Sequence, residues 1–513
     1  MRFIKLLLVA LCLCQLPLFS QQPNQGVKVR VGPVFKNKRS VPLAYFGSDS
    51  SGHYMLFSGG KKGFGNDFLY RIGHDLLPKE RVRLTSKVGS EIARTLFVRE
   101  IGDKLYHFST ITLPGQRSYY YQRINKEDMS LGENVFIGTI TTELLDFSRS
   151  RTFFRRSPGS DFVTLAYIKP AKLNGPEKLV VNVFDKQMNP LWTKEYQFPF
   201  ENRLFNIRDI DIEYDGRLSV KARRKIRVSE RVRGKPDYEY HFFILNPDGS
   251  TEEVQIDWQG KFINGMTVST NKKGDFVLAG FYSELNEDGL AGTYFLRIDS
   301  DEKKAWTPSF HALDIDFFNQ NMTAAKAKRV AHDMRVGFVP KELRNYTYRS
   351  YRPMSDGGVR LIGEHELVLW KTLDRVVHHY GDIAVINLKP NGEIDWAKRI
   401  GKHQRTGVDH VIYSSYGMME SDNTLAFFFN DNEKNRGYDG VGRVAPMRKN
   451  MHTVLTMAEV DEKGELSRSV LLSRELVDTK VRPDFAIHLD NGDMLLFGHL
   501  NMRRQRFIKV KYP

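Results

Sequence analysis

"GDIAVINLKPNGEIDWAKRIG", residues 381–401, is the stretch whose reading decides the fold. An apolar run of Ile383, Val385, Ile386 and Leu388 meets Pro390-Asn391-Gly392, and a second run carries Trp396 beyond the turn. Asn-Gly supplies the positive φ that a tight hairpin needs, so the stretch reads as two antiparallel strands. It has relatives along the chain. "YHFFILNPDGSTEEVQIDW" (240–258), "TYFLRIDSDEKKAW" (293–306) and "LVVNVFDKQMNPLW" (179–192) repeat the order of apolar strand, turn and tryptophan-bearing strand. "TVLTMAEVDEKGELSRSVLL" (453–472) keeps the turn and loses the tryptophan; 67–84 and 118–140 are weaker copies. Of the five tryptophans, Trp192, Trp258, Trp306 and Trp396 follow this turn, which predicts a repeated environment for the second strand.

A second kind of hairpin precedes each copy. Its turns fall at Asp49-Ser50-Ser51-Gly52, Gly102-Asp103, Pro158 to Asp161, Asp215-Gly216, Lys273 to Asp275, Asp356 to Gly358, Ser421 to Asn423 and Asp490 to Asp493. An apolar strand follows each one, such as "YMLFSG" (54–59), "FVLAGF" (276–281) or "MLLFGH" (494–499). Four short strands per unit at near-constant spacing is the pattern of a β-propeller. The expected fold is therefore all-β: a single propeller over residues 21–513, with eight four-stranded antiparallel blades. Seven blades plus an irregular piece is the competing count. Two stacked β-sandwiches explain the chain ends less well. The last unit stops at "RFIKVKYP" (506–513), a third strand without a fourth, and "VKVRVGPVF" (27–35) has no unit of its own. Pairing them closes the ring and removes two edges that would otherwise template aggregation. An insert at 313–344, with a short helix near 320–335, separates blades five and six.

The turns and the Leu-x-Trp strands resemble the repeats of secreted bacterial β-propeller proteins, most closely at 381–401. That resemblance implies the fold and a setting outside the cytoplasm. It brings no catalytic residues with it.

The amino-terminal residues agree with export. Arg2 and Lys5 precede an apolar run from Leu6 to Cys14 and a break at Pro17 to Ser20. The run is shorter than the roughly 20 residues that span a bilayer, so residues 1–20 read as a cleaved signal peptide. The mature chain would begin near Gln21, in the periplasm or outside the cell. A lipid anchor fits poorly, because Cys12 and Cys14 lack the small residues such a site needs before the cysteine. Both cysteines lie in this segment, so the mature chain has no disulfide, thiol nucleophile or cysteine-bound metal. Without Arg2 and Lys5, the 77 basic residues become 75 against 61 acidic ones, a formal charge of +14 that favours anionic partners.

Propeller geometry turns loop length into a functional argument. The Asp/Gly turns share one face; the second-to-third-strand loops and the crossovers between blades share the other. The long loops (169–177, 283–292, 371–380, 431–452 and the insert) all belong to the latter, and loops beyond a dozen residues in a compact domain are usually functional or disordered. On that face "KARRKIRVSERVRGK" (221–235) puts Lys221, Arg223, Lys225, Arg227, Arg231 and Arg233 at period two, one side of an extended strand. A solvated hairpin accounts for such a row, and so does a strip for a polyanion. Nucleic acid is not expected, because the stretch lacks stacking aromatics. His378, His379, His403 and His410, with Asp409, gather on the same face. Arg436 and Tyr438 of the 431–452 loop join the candidates. No G-x-S-x-G, H-E-x-x-H or G-x-x-x-x-G-K-[ST] motif occurs.

The expected function is an exported, non-enzymatic binding or scaffold propeller. It would be monomeric, without metal or cofactor, not membrane-spanning, and would contact a protein, an acidic polysaccharide or another cell-envelope anion through the loop-rich face. The alternative is a secreted polysaccharide hydrolase or lyase at the channel mouth. "DIDIEYDG" offers Asp209, Asp211 and Glu213 for that role, on an inner strand whose alternation otherwise reads as a solvated channel face.

Overall fold

In a computed structural model of the chain, the apolar runs and their turns resolve into eight antiparallel sheets set in a ring. The structure describes residues 26–37, 40–58, 67–141, 150–170, 174–271, 274–299, 307–372, 375–420, 424–448, 453–473, 478–489, 491–501 and 503–512. Residues 1–20, read above as a signal peptide, Trp306 and the 421–423 turn lie outside them.

Each blade runs from the axis outward in chain order. Blade four is representative: Phe205–Ile212, Leu218–Lys225, Tyr238–Leu245 and Thr251–Val254 pair in sequence. Inner strands touch those of neighbouring blades, and the apolar core forms eight layers, one in each gap between blades. The second strand of each blade is therefore buried on both faces, while the outer strands stay largely exposed. That is why the second strands read as unbroken apolar runs rather than alternating ones. Leu425–Asn432, "LAFFFNDN", is buried along all but its last residue.

The amino-terminal segment closes the ring as expected. Lys28–Val31 pairs antiparallel with Arg504–Lys511, from Lys28 opposite Lys511 to Val31 opposite Ile508, and supplies the outer strand of blade eight. The chain is an eight-bladed β-propeller.

The insert between blades five and six holds two helices, α1 (Ile315–Asn319) and α2 (Ala324–Arg335). The Asp314 side chain caps α1 by accepting from the Phe317 N–H, and Thr323 does the same for α2 from Lys326. Blade six anchors the insert. The Arg399 guanidinium donates to the Phe318 carbonyl at 2.9 Å, and the Arg399 N–H to Gln320 Oε1 at 2.7 Å.

Two expectations need correction. The described residues of 371–380 are strand rather than loop: Val359–Thr372 and Arg375–Leu388 are paired 14-residue strands that outgrow their blade, and His378 and His379 lie within the second of them. Nor do the tryptophans share one environment. Trp396 Nε1 donates to the Glu462 carbonyl in the next blade, whereas Trp258 donates to the Tyr240 carbonyl in its own.

Candidate functional site

The 221–233 row does not form a single strip. Its strand ends at Lys225, and Val228–Glu230 is a turn of 3-10 helix, so period two is lost at the middle of the row. Counter-ions take most of its charges. Lys221 is buried between Asp209 (3.3 Å) and Asp211 (3.1 Å), and Arg223 reaches Glu287 at 2.5 Å with its guanidinium over the Tyr238 ring. Arg227 pairs with Glu201 at 2.6 Å and Arg231 with Asp237 at 3.4 Å. Lys225 and Arg233 are exposed. The same contacts correct the reading of "DIDIEYDG" as a solvated face: Asp209 and Asp211 are ion-paired with Lys221 and Arg155, and Glu213 is buried.

The same face carries a recess of about 700 Å³ where the insert, blade six, the blade-six-to-seven crossover and the 431–448 loop converge. Its floor is the opening stretch itself: Gly381, Asp382, Arg399 and Gly401 all line it. Hairpin pairing brings Ile383 opposite Ile400, which sets the flanking Asp382 and Arg399 close together. Arg399 Nε donates to Asp382 Oδ2 at 2.5 Å and the Tyr346 hydroxyl to the same oxygen at 2.8 Å. Burial opposes ionisation of Asp382, but Arg399 and these hydrogen bonds outweigh it and hold the carboxyl below its usual range.

Lys402 forms the deeper wall. It is fully buried, donating to Glu364 Oε1 at 2.7 Å and Gln404 Oε1 at 3.2 Å. The other Glu364 oxygen accepts from Ser415 at 2.7 Å and from Arg349 at 3.1 Å. Burial lowers the Lys402 pKa, with Glu364 opposing the shift. His365, His379 and His403 complete the lining, the last two with ring centroids 6.4 Å apart. Burial lowers the pKa of His365 and of His403, and Arg443 and Lys402 push His403 the same way. Lys326, Arg344 and Arg443 stand at the rim, exposed, with no ion-pair partner among the described residues. The lining thus holds five cations, Lys326, Arg344, Arg399, Lys402 and Arg443, against one carboxylate, Asp382. An anionic group entering this recess would meet unpaired guanidinium and ammonium groups over a polar, partly desolvated floor.

Of the residues singled out in the sequence, His379 and His403 lie in the recess. Tyr438 buttresses it from behind, its hydroxyl 3.2 Å from Asn321 Oδ1. His378 points away on its strand, His410 packs its ring on Tyr413, and Arg436 pairs with Glu433 at 3.4 Å. Sequence reading missed Lys326, Arg344, His365, Asp382, Arg399, Lys402 and Arg443. One signal was available: Asp382 and Arg399 interrupt the two ends of an apolar hairpin, where buried charges must be paired.

A second recess, of about 320 Å³, opens among the short turns beside the inner strands, lined by Asp211, Glu213, Thr270, Arg297 and Tyr351. Burial raises the pKa of both carboxyls, against Lys221 at Asp211 and hydrogen bonds at Glu213. Among the described residues no group of three or more His, Cys, Asp or Glu is placed to hold a metal ion, and no helix is long and apolar enough to cross a membrane.

No protein-family model matches the chain, and no curated protein matches it. Similar solved structures include the WD40 domain of SCAP from fission yeast, 8% identical over 97% of this chain and 98% of that one, with a TM-score of 0.43. The Nup133 β-propeller domain of Vanderwaltozyma polyspora is 11% identical over 82% and 100%, with a TM-score of 0.37. A Penicillium chrysogenum α-L-arabinanase complexed with arabinobiose is 9% identical over 68% and 94%, with a TM-score of 0.31. At these levels each likeness concerns the fold, and no residue, ligand or activity transfers.

Proposed function

We propose that the protein is an exported, non-enzymatic binding propeller that takes an anionic group, from a protein or an acidic glycan, in the recess between the insert and blade six. The observation that carries this is the imbalance of the lining, five cations to one carboxylate, with three of the cations at the rim lacking an ion-pair partner among the described residues. Rim charges left without counter-ions raise the local concentration of anions and give binding a steep salt dependence.

The test is retention on two columns, heparin and immobilised polyglutamate, over a salt gradient. Lys326→Glu/Arg344→Glu/Arg443→Glu should elute far earlier than wild type on the matrix that resembles the natural ligand. Lys186→Glu/Lys389→Glu/Lys463→Glu, reversed among the short turns of the opposite face, is matched in charge and should elute near wild type. If both variants shift equally on both columns, retention follows net charge and the recess is not a site. Preference for heparin points to a glycan, preference for polyglutamate to an acidic protein.

The hydrolase reading keeps one observation in its favour, the two raised carboxyls of the second recess. Asp211 is held between Lys221 and Arg155, however, which suits an ion-pair network better than a general acid. Glycan hydrolysis that is lost in Glu213→Gln would reverse this preference.

A further inference from the structure

Among the described residues, the long hairpin of blade six has one edge without a partner strand. The inner strand, Tyr346–Pro353, pairs with Val359–Thr372 only as far as Tyr346 opposite His365. One more bond follows, from the Glu366 N–H to the Asn345 carbonyl at 2.7 Å. Beyond it Val359–Thr372 continues, hydrogen-bonded on its outer side alone, where Leu367 faces His379 and Trp370 faces Val376. The outer side of the extension is already covered, because Gln404–Gly407 pairs with Val377 to Tyr380. The free side is therefore the one facing the ring axis. Peptide groups alternate sides along a strand, and Glu366 points its N–H to that side. Val368 and Trp370 consequently aim their N–H and C=O groups there too, with no partner among the described residues.

This edge is apolar as well as open. Val368, Leu369 and Trp370 are exposed, Trp370 at 73%. Soluble proteins usually blunt such an edge with charge, proline or a covering segment. From Leu367 to Trp370 there is neither charge nor proline.

We propose that the axis-facing edge at Leu367–Trp370 is a docking site for an extended segment of a partner protein, which adds to it as a strand. Backbone hydrogen bonds to Val368 and Trp370 would give affinity, and apolar side chains on alternate positions would cover Leu369 on one face and Trp370 on the other. Charge selects the occupant. Arg344 stands beside Asn345 at the foot of the edge, Arg405 belongs to the same extension, and Lys326 and Arg443 line the recess below. A segment with acidic residues flanking its apolar core suits these surroundings. A second copy of this chain does not, since it would bring the same basic face against itself. The inference stands on the free edge, whether or not the recess takes anions.

A phage-displayed library of random twelve-residue peptides, panned on the full chain, tests it. The peptides expected to enrich alternate apolar and polar residues and end in Asp or Glu. Val368→Pro removes the axis-facing N–H while leaving the bonds to Arg375–Leu388, since proline is tolerated on an edge strand where the missing donor makes no ladder bond. Selected peptides should lose at least tenfold in affinity for Val368→Pro and little for Val368→Ala. On wild type, bound peptide should slow amide exchange at Val368 and Trp370, a readout that needs no variant. Enrichment of sequences without alternation, equal affinity for Val368→Pro, or unchanged exchange at these two amides would each overturn the proposal. So would a wild-type dimer in sedimentation velocity that Val368→Pro abolishes, because the occupant would then be a second copy.

Discussion

His107 lies wholly buried in the second strand of blade two, its ring nitrogens 3.0 Å from Thr95 Oγ1 and 3.4 Å from Gln122 Oε1. Burial drives its pKa down from 6.5 to about 4. His499 in blade eight is driven to about 4 by burial and by the nearby Arg482. In both cases the folded pKa lies below the unfolded one. As pH falls through 6.5 the unfolded chain takes up protons that the fold refuses until about pH 4, so stability is lost across that window. A shift of this size corresponds to roughly 3 kcal/mol for each buried group. His107→Gln/His499→Gln should therefore flatten the fall in unfolding free energy between pH 7 and pH 4 by several kcal/mol in urea titrations. Parallel curves for wild type and variant would mean that the two rings charge inside the fold. Neither histidine was legible as a special position. "KLYHFS" reads as an apolar strand, and what makes His107 neutral is its position against Thr95 and Gln122, residues of other strands. The recess was hidden for the same reason: Lys326, His365, Lys402 and Arg443 come together only through packing of four separate segments.

Turns were the most legible elements, because their chemistry is local. Gly464 turns the third strand of blade seven into the fourth at φ +78°, and a Cβ there would lie 2.7 Å from the Trp396 ring of blade six. Gly249, at the matching turn of blade four, has φ +99° but nothing closer than Lys194 Cδ at 3.8 Å. Alanine at either site bears the cost of a positive φ, of order 1 kcal/mol, and only at Gly464 must a neighbouring blade move as well. Gly464→Ala should cost about 1–2 kcal/mol more than Gly249→Ala by urea unfolding; equal costs would show that the indole shifts aside freely. The hairpin at 364–380 was illegible because its length depends on a non-local partner. Gln404–Gly407 pairs with it, and nothing in "LVLWKTLDRVVHHY" announces that cover. The basic row failed by the converse error. Period two was real in the sequence, but it was carried past Lys225, where the strand stops, and across Glu201, Asp237 and Glu287, which approach from elsewhere.

At the scale of the whole molecule, the blade count was legible because the repeat leaves one strand over at the start and lacks one at the end. Closure is where that arithmetic has an energetic consequence. Val27 and Val29 are buried in the layer between blades seven and eight, and Phe35 in the layer between blades eight and one. The segment therefore seals two gaps besides completing a sheet. Burial of three such side chains is worth about 1.5–3 kcal/mol each, and without the segment Arg504–Lys511 becomes an open edge. Deleting Val27 to Phe35 should lower the melting temperature markedly and raise light scattering on heating. Deletion alone does not separate loss of a strand from general damage, so the decisive arm adds a synthetic peptide of residues 26–36 to the truncated protein. A missing strand can be supplied in trans: the melting temperature should rise with peptide concentration, as binding to the native state requires, and scattering should fall. A peptide carrying Val29→Asp, which puts an unpaired carboxylate into the apolar layer, should fail to rescue. A truncated protein that melts like wild type would show that the ring closes without its amino-terminal strand.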